Sequence, residues 1–253
     1  MKNTISFIGA GRITKIFLQA FQNKHISLAN VSVFDTNNQV TENLKTLFPE
    51  ITVTDLKTVS EQGLVFIALH PPVMMETLGK IQPFVRPEST FVSLAPKINI
   101  EKISTTLGTK KVARLIPNAT SFINQGYNPI SFAEGFEQKD ELISILGTLG
   151  KTFETAENKL EAYAIASAML PTYFWFQWFE MVEIGKQMGL TEAESKETVA
   201  HSLLGAIHTA FSSNLQPAEV TDLIPVKPIS EHEQEIKNIL QTKLMGLFEK
   251  IKP

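Results

Sequence analysis

Near its start the chain reads Ile5-Ser6-Phe7-Ile8-Gly9-Ala10-Gly11-Arg12-Ile13-Thr14, a short apolar run, two glycines one residue apart, then the opening of an amphipathic helix. Few folds accommodate that succession. Where a buried strand turns sharply into a helix, the first glycine makes the turn. The second lets the backbone approach a diphosphate held against the helix amides and the positive end of the helix dipole. Thr14 takes the third position, where glycine or alanine is usual. Asp35 follows 21 residues after Thr14, at the end of the next β-rich run. An acid at that distance is suited to hydrogen-bonding the ribose hydroxyls of a dinucleotide. The plainer reading makes the glycines a packing turn and Asp35 a polar strand end. Taken together, the turn, the acid and their place at the first strand–helix junction favour a nicotinamide dinucleotide, NAD or NADP, on an N-terminal Rossmann-type domain. Asp35 favours NAD, because a carboxylate repels a ribose phosphate and Thr36, Asn37 and Asn38 supply no compensating cation. Arg12 is the nearby cation that could swing toward such a phosphate.

The rest of the first 155 residues alternates β-rich runs with helical segments, the rhythm of a parallel sheet with crossover helices. Strands are expected at Thr4–Ile8, Val31–Asp35, Thr52–Thr54, Leu64–Leu69, Thr90–Leu94, Val112–Ile116, Pro129–Ala133 and Thr152–Thr155. Helices are expected near Ile13–Asn23, Gln39–Phe48, Pro72–Lys80 and Lys139–Gly147. Runs such as Leu64-Val65-Phe66-Ile67-Ala68-Leu69 suit strands covered on both faces. After Ala156 the strand signal stops. The expected fold is therefore α/β, a parallel-sheet domain over residues 1–155 and an all-α domain over 156–253. In the latter, Gly189 closes one helix, Thr191 to Glu194 forms a capping box for the next, and Ser230 to Glu233 forms another for the last. Pro217 suits the first turn of a short helix, while Pro225 and Pro228 bracket an irregular stretch.

Bulk properties narrow the function classes. A chain of 253 residues, 43% of them hydrophobic, can bury a large core. A net charge of -3 gives no broad positive field, so nucleic acid is not an expected partner. The absence of cysteine removes disulfides, thiolate zinc sites and a cysteine nucleophile. His201 and His208, seven residues apart on a helix, are too distant along its axis to chelate one ion, and no metal site is expected. The N-terminal segment reads as a first strand rather than a signal peptide, and cytoplasm is the expected location. The apolar stretch Ile165–Ile184 contains Pro171, Glu180 and Glu183 and reads as a buried helix rather than a membrane span.

These segments, in this order, resemble the pyrroline-5-carboxylate reductase family over essentially the whole chain. The family's glycine fingerprint corresponds to Phe7 through Thr14, and its Ala-Val-Lys-Pro segment to Ala68-Leu69-His70-Pro71. Its Arg-Met-Pro-Asn segment is similar to Arg114-Leu115-Ile116-Pro117-Asn118, followed by Gly126. The segment before its substrate loop resembles Pro217-Ala218-Glu219-Val220-Thr221-Asp222. The resemblance implies that Gly9, Ala10, Gly11, Arg12 and Ile13 line the diphosphate. It places Ala68, Leu69 and Pro71 along the path from adenosine to nicotinamide, and Asn118 at the nicotinamide end. It also implies helical domains that intertwine as a homodimer. Read without the resemblance, Ala68 and Leu69 are strand core, and Pro71 and Pro117 terminate strands.

The departures fall in the substrate half. The family's Ser-Gly-Ser-Gly-Pro turn is represented by Ser167-Ala168-Met169-Leu170-Pro171, and its Gly-Gly-Thr-Thr loop by Pro225-Val226-Lys227-Pro228-Ile229-Ser230. The threonine that holds the substrate carboxylate has no counterpart. Ser167 is a candidate ligand donor, although a helical serine more often bonds its own preceding carbonyl. Lys227 either pairs with a substrate carboxylate or is solvated, and Ser230 reads as a helix cap. The aromatic run Tyr173 to Phe179 reads as burial between subunits or as a substrate wall. The function expected is an NAD(P)-dependent oxidoreductase moving a hydride to or from a small imine or carbonyl other than the family's usual one, with His70, Lys227 or an ordered water as the proton partner. A non-catalytic dinucleotide sensor or scaffold is the alternative reading, and a reductase using a deazaflavin a third.

Overall fold

The computed structural model describes residues 4–253; Met1 to Asn3, part of the segment read as the first strand, lie outside it. Eight strands form, β1 (Ile5–Ile8), β2 (Val31–Phe34), β3 (Thr52–Val53), β4 (Leu64–Ile67), β5 (Thr90–Ser93), β6 (Val112–Leu115), β7 (Gly126–Phe132) and β8 (Gly150–Glu154). They make one sheet in the order β3-β2-β1-β4-β5-β6-β7-β8. The strands from β3 to β6 along that order pair in parallel, and β7 turns against β6 and carries β8 parallel to itself. Every expected strand is present, with ends shifted by up to three residues. The order reverses between β1 and β4, and in open sheets of this kind ligands bind outside the carboxyl ends of the strands at that reversal.

Each side of the sheet carries its own core. Alternation within β1 and β4 sends Phe7 and Phe66 to one face and Ile8, Val65 and Ile67 to the other. On the first face lie α1 (Arg12–Asn23), α2 (Asn38–Leu47) and α6 (Lys139–Leu146), through Phe17, Phe21, Leu44, Leu142 and Leu146. Phe7 stacks on Phe66 at 4.9 Å between centroids, and Phe17 meets both edge-on at 5.7 and 5.2 Å. That triple contact fixes the start of α1 over β1 and β4, and so fixes the glycine turn. On the second face lie α3 (Leu56–Ser60), α4 (Pro71–Ile81) and α5 (Ile100–Leu107), through Val59, Met74, Leu78, Ile103 and Leu107. The α3 and α5 helices are not expected from the sequence. Both are short, and each starts at a side-chain cap, Asp55 for α3 and Asn99 for α5.

Among the described residues, the first compact unit runs to Met169 and includes Leu247–Pro253, so it extends past the boundary expected at residue 155. The reason is packing beyond β8. Leu160, Glu161, Ala164 and Ile165 are buried, across α7 (Leu160–Tyr163) and the π-helical turn Ala164–Ala168 that continues it. Arg114 on β6, fully buried, donates to Glu157 at 2.8 Å and to Glu161 at 2.5 Å. Glu157 also accepts the amide of Ile100 at 2.7 Å.

The second unit, Leu170–Gly246, is all helical, with α8 (Leu170–Gln187), α9 (Glu192–Ser212), α10 (Pro217–Asp222) and most of α11 (Glu233–Ile251). Thr191 and Glu194 form the expected capping box, and the Thr191 hydroxyl and amide hold the Glu194 carboxyl below its usual range. Ser230 is not a side-chain cap. It opens a 3-10 turn, Ser230–His232, and Glu233 pairs with Lys237 at 2.5 Å instead of reaching back. The α8 and α9 helices approach closely where Gly185 faces Ser195, whose hydroxyl donates to the Val182 carbonyl at 2.7 Å. Ser195 is the one fully buried residue among those described in this unit, while Phe176, Phe179 and Phe211 are 66%, 67% and 85% exposed. By itself this unit has no hydrophobic core. No helix among the described residues is long and apolar enough to cross a membrane.

Removing the guanidinium of Arg114 leaves the buried Glu161 carboxylate without its partner, and losing one side of a buried pair costs about 3–5 kcal/mol. Arg114→Met should therefore lower the urea midpoint of the sheet unit markedly; an unchanged midpoint contradicts this account of why residues 156–169 join it.

Candidate functional site

The carboxyl ends of β1, β4, β5 and β6 open on one cleft of about 360 Å³. Its floor and walls come from Gly11 to Ile13, Ala68 to Pro71, Leu94 to Pro96, Ile116 and Pro117, with Ala164, Ala168 and Met169 from the π-helical turn and its end. All of these residues belong to the sheet unit.

Gly9 is the turn's fixed point. Its φ is +106°, and a Cβ there would lie 2.4 Å from the Ala68 carbonyl oxygen. No side chain fits either the dihedral or the gap. Thr14 explains its own departure from the usual small third residue, because its buried hydroxyl donates to the Gly9 carbonyl at 2.6 Å and ties the turn to the first turn of α1. Gly11 is different. It has an ordinary φ of -74°, and a Cβ on it would meet nothing within 4 Å. Its missing side chain leaves space open in front of the start of α1.

That start has no side-chain cap and no acidic residue in its first turn. The amides of Gly11, Arg12 and Ile13 meet no acceptor among the described residues. Unspent first-turn amides at the positive end of a twelve-residue helix, with the exposed Arg12 beside them, make a receptive place for an anion. The Ala10 amide is the exception, since it donates to Asp35 at 2.8 Å, and the other oxygen of Asp35 accepts the Asn37 amide at 2.9 Å. Asp35, just beyond β2, is thus a brace for the turn as well as the acid expected there. Each carboxylate oxygen retains acceptor capacity for a hydroxyl.

The other sequence candidates separate into those on the cleft and those behind it or elsewhere. Arg12, Ile13, Ala68, Leu69, His70 and Pro71 line the cleft, with His70 exposed and preceding α4. Gly9 and Ala10 are buried and take no part in the lining. Asn118 is buried and takes no part in the lining. Its side-chain oxygen accepts from the Thr120 amide and hydroxyl at 3.0 and 2.8 Å, and its Nδ2 donates to the Ser167 hydroxyl and carbonyl, both at 3.2 Å. Asn118 and Ser167, expected separately, are therefore brought together. Ser167 does not bond its own preceding carbonyl, as a serine in a regular helix would; its hydroxyl donates to the Tyr127 carbonyl at 3.3 Å. The cause is the π-helical turn, where the Met169 amide donates to Ala164 five residues back at 3.0 Å and redirects the side chains between them. Lys227 lies in the helical unit, in a shallow depression with Ile229, Glu233 and Ile236.

Sequence reasoning missed Leu94, Ala95 and Pro96 as lining. A signal was present, because β4, β5 and β6 are all followed closely by a proline, Pro71, Pro96 and Pro117, at the same end of the sheet.

The fold and the turn define a Rossmann-type α/β domain followed in sequence by a helical unit. Along its whole length the chain is similar to pyrroline-5-carboxylate reductases. It is 24% identical to the pyrroline-5-carboxylate reductase of Pseudomonas aeruginosa, over 97% of this chain and 91% of that one, and 22% identical to that of Staphylococcus aureus, over 96% and 92%. A family model described as "NADP oxidoreductase coenzyme F420-dependent" matches residues 4–97. Among solved structures, the Plasmodium falciparum pyrroline carboxylate reductase with NADP bound superposes with a TM-score of 0.82 at 17% identity, covering 100% of this chain and 98% of that one. The Coxiella burnetii pyrroline-5-carboxylate reductase gives 0.70 at 21% identity, over 98% and 94%.

The two glycines should respond oppositely to the same substitution. Gly9→Ala forces a clash with backbone and should lower the melting temperature by several degrees, since each kcal/mol is worth about 2–4 °C in a domain of this size. Gly11→Ala should leave it within about 1 °C, as expected for a surface change without strain. Calorimetric melting of the two variants checks the contrast.

Proposed function

We propose that the chain is a nicotinamide-dinucleotide-dependent oxidoreductase that transfers a hydride to or from a small imine or carbonyl, on a substrate other than pyrroline-5-carboxylate. The observation that carries this reading is the set of unspent amides at Gly11, Arg12 and Ile13, opening on a cleft at the sheet's order reversal. The residues fit a dinucleotide. The space left by the absent side chain of Gly11 suits a diphosphate, with Arg12 adding positive charge, and Asp35 offers acceptors to ribose hydroxyls. The bound dinucleotide would supply the hydride chemistry. The chain's own part is to hold it at Gly9 to Ile13, line its path with Ala68, Leu69 and Pro71, and exclude water with apolar walls. His70 on the cleft rim is the proton partner this reading favours; Lys227 and an ordered water are the other candidates. The deazaflavin reading draws on the family model matched over residues 4–97, which spans the dinucleotide half alone.

A substrate outside the relatives' usual one is supported by the rewritten Ser167-Ala168-Met169-Leu170-Pro171 and Pro225-Val226-Lys227-Pro228 segments. NAD is the preferred cofactor in this reading, because Asp35 places a negative charge where NADP carries its extra phosphate, although the Plasmodium falciparum relative was solved with NADP. A homodimer through the helical unit is part of the same proposal. Helices that expose Phe176, Phe179 and Phe211 and bury a single serine need a partner, and a second copy offers matching apolar faces. The proposed location is the cytoplasm.

The reading is tested by following NADH absorbance with cyclic imines, β-keto acids and 2-oxo acids. Turnover of one of them supports it, whereas tight NADH binding with turnover of none favours a dinucleotide sensor or scaffold. Asp35→Ser should raise the ratio of NADPH to NADH affinity by about tenfold or more, as removing a like charge close to a phosphate is worth about 1–2 kcal/mol in a partly exposed site; an unchanged ratio removes Asp35 from the ribose site. Phe179→Glu should convert a dimer to monomer in sedimentation, and a wild-type chain that sediments as a monomer contradicts the dimer outright.

A further inference from the structure

The polar groups nearest the π-helical turn are already committed to one another. Asn118 Nδ2 donates to Ser167, the Ser167 hydroxyl donates to the Tyr127 carbonyl, and the Thr120 hydroxyl stands within reach of both Asn118 Oδ1 and the Gln125 carbonyl. What remains for the cleft on that side is apolar, made by Ile116, Pro117, Ala164, Ala168 and Met169. The cleft's charged and titratable side chains, Arg12 and His70, belong instead to the turns after β1 and β4. A carboxylate brought against that wall would lose its water and find no side-chain donor on that side of the cleft, which is the costly case of burial.

Resting on the oxidoreductase reading, we infer that this cleft is built for an imine that carries no carboxylate, and that Ala168 and Met169 set that specificity. A small cyclic imine with a hydrocarbon substituent fits the chemistry of the wall. Its reduction balances without a carboxylate contact. A hydride adds to the imine carbon, the C=N π pair moves to nitrogen, nitrogen takes one proton from water or His70, and the dinucleotide is oxidised by two electrons. The inference makes Ser167 a positioning residue, holding the π-helical turn to β7 through Tyr127, rather than a ligand for substrate.

The test compares 2-methyl-1-pyrroline with 1-pyrroline-5-carboxylate as substrates of the full chain with NADH and NADPH. Calorimetry of the amines 2-methylpyrrolidine and proline, in the presence of NAD, gives a readout independent of turnover. The methyl imine should exceed the carboxylate imine in kcat/KM by on the order of a hundredfold, the discrimination expected when a charged group is denied its partner. 2-methylpyrrolidine should bind more tightly than proline. The double variant Ala168→Gly/Met169→Ser, which opens backbone and adds a hydroxyl, should narrow both differences by about tenfold or more, the worth of one hydrogen bond to a charged group.

Equal or better use of the carboxylate imine overturns the inference, and if that use is lost in Lys227→Ala the carboxylate contact belongs to Lys227. A preference unmoved by the double variant also overturns the assignment to Ala168 and Met169. If neither imine turns over although NADH binds, the oxidoreductase reading loses its support on imines, while the calorimetric order of the two amines still decides the chemistry of the cleft.

Discussion

The close approach of the Gly9 backbone to the Ala68 carbonyl is the contact on which the site depends. The chain leaves β1 at a φ that side chains rarely adopt, in a gap that a Cβ would overfill. Because it can turn there, α1 begins directly over the sheet's order reversal, and its first amides face outward instead of being consumed by a longer loop. Three interactions hold the geometry. Thr14 closes the turn on its helix side, Asp35 binds Ala10 on its sheet side, and the Phe7, Phe17 and Phe66 rings fix the helix above the strands. Together they hold the turn while leaving the amides of Gly11 to Ile13 unspent.

Much of this could be read from the sequence, for a physical reason. Strands buried on both faces are written as continuous apolar runs, and a strand-to-helix glycine turn has few alternatives, so β1 to β8 and the turn were legible. Short helices such as α3 and α5 were not, because one or two turns give too little periodicity to stand out even when a cap such as Asn99 is present. The end of the sheet unit was hidden for another reason. Residues 156–169 are drawn into it by the burial of Leu160, Ala164 and Ile165 and by ion pairs from Arg114 to Glu157 and Glu161, more than forty residues away in sequence. The π-helical turn was equally hidden, since nothing in Ala164-Ile165-Ala166-Ser167-Ala168 distinguishes it from ordinary helix. Its consequence, a Ser167 hydroxyl aimed at Tyr127, reversed the local expectation for that serine. Asp35 shows a subtler gap, for spacing announced an acid at the ribose position but said nothing of the two backbone amides it also holds.

The two halves of the molecule differ in how completely they satisfy themselves. The sheet unit buries its apolar residues in two cores and pairs its interior charges. The helical unit leaves most of its large apolar side chains exposed, so its stability and any contribution it makes to chemistry depend on what covers it. The contrast also separates the evidence for function. The proposed cofactor binding rests on backbone geometry in a self-sufficient unit, whereas the inferred substrate choice rests on side chains at the end of that unit, where the chain departs from the reductases it resembles.

The most direct measurement is a titration of amide-resolved NMR spectra with NADH. The account predicts that the amides of Gly11, Arg12 and Ile13 shift strongly and saturate together, while Ala10, already bound to Asp35, moves least among the turn residues. Shifts confined to other parts of the chain, or none at all at saturating NADH, would contradict it.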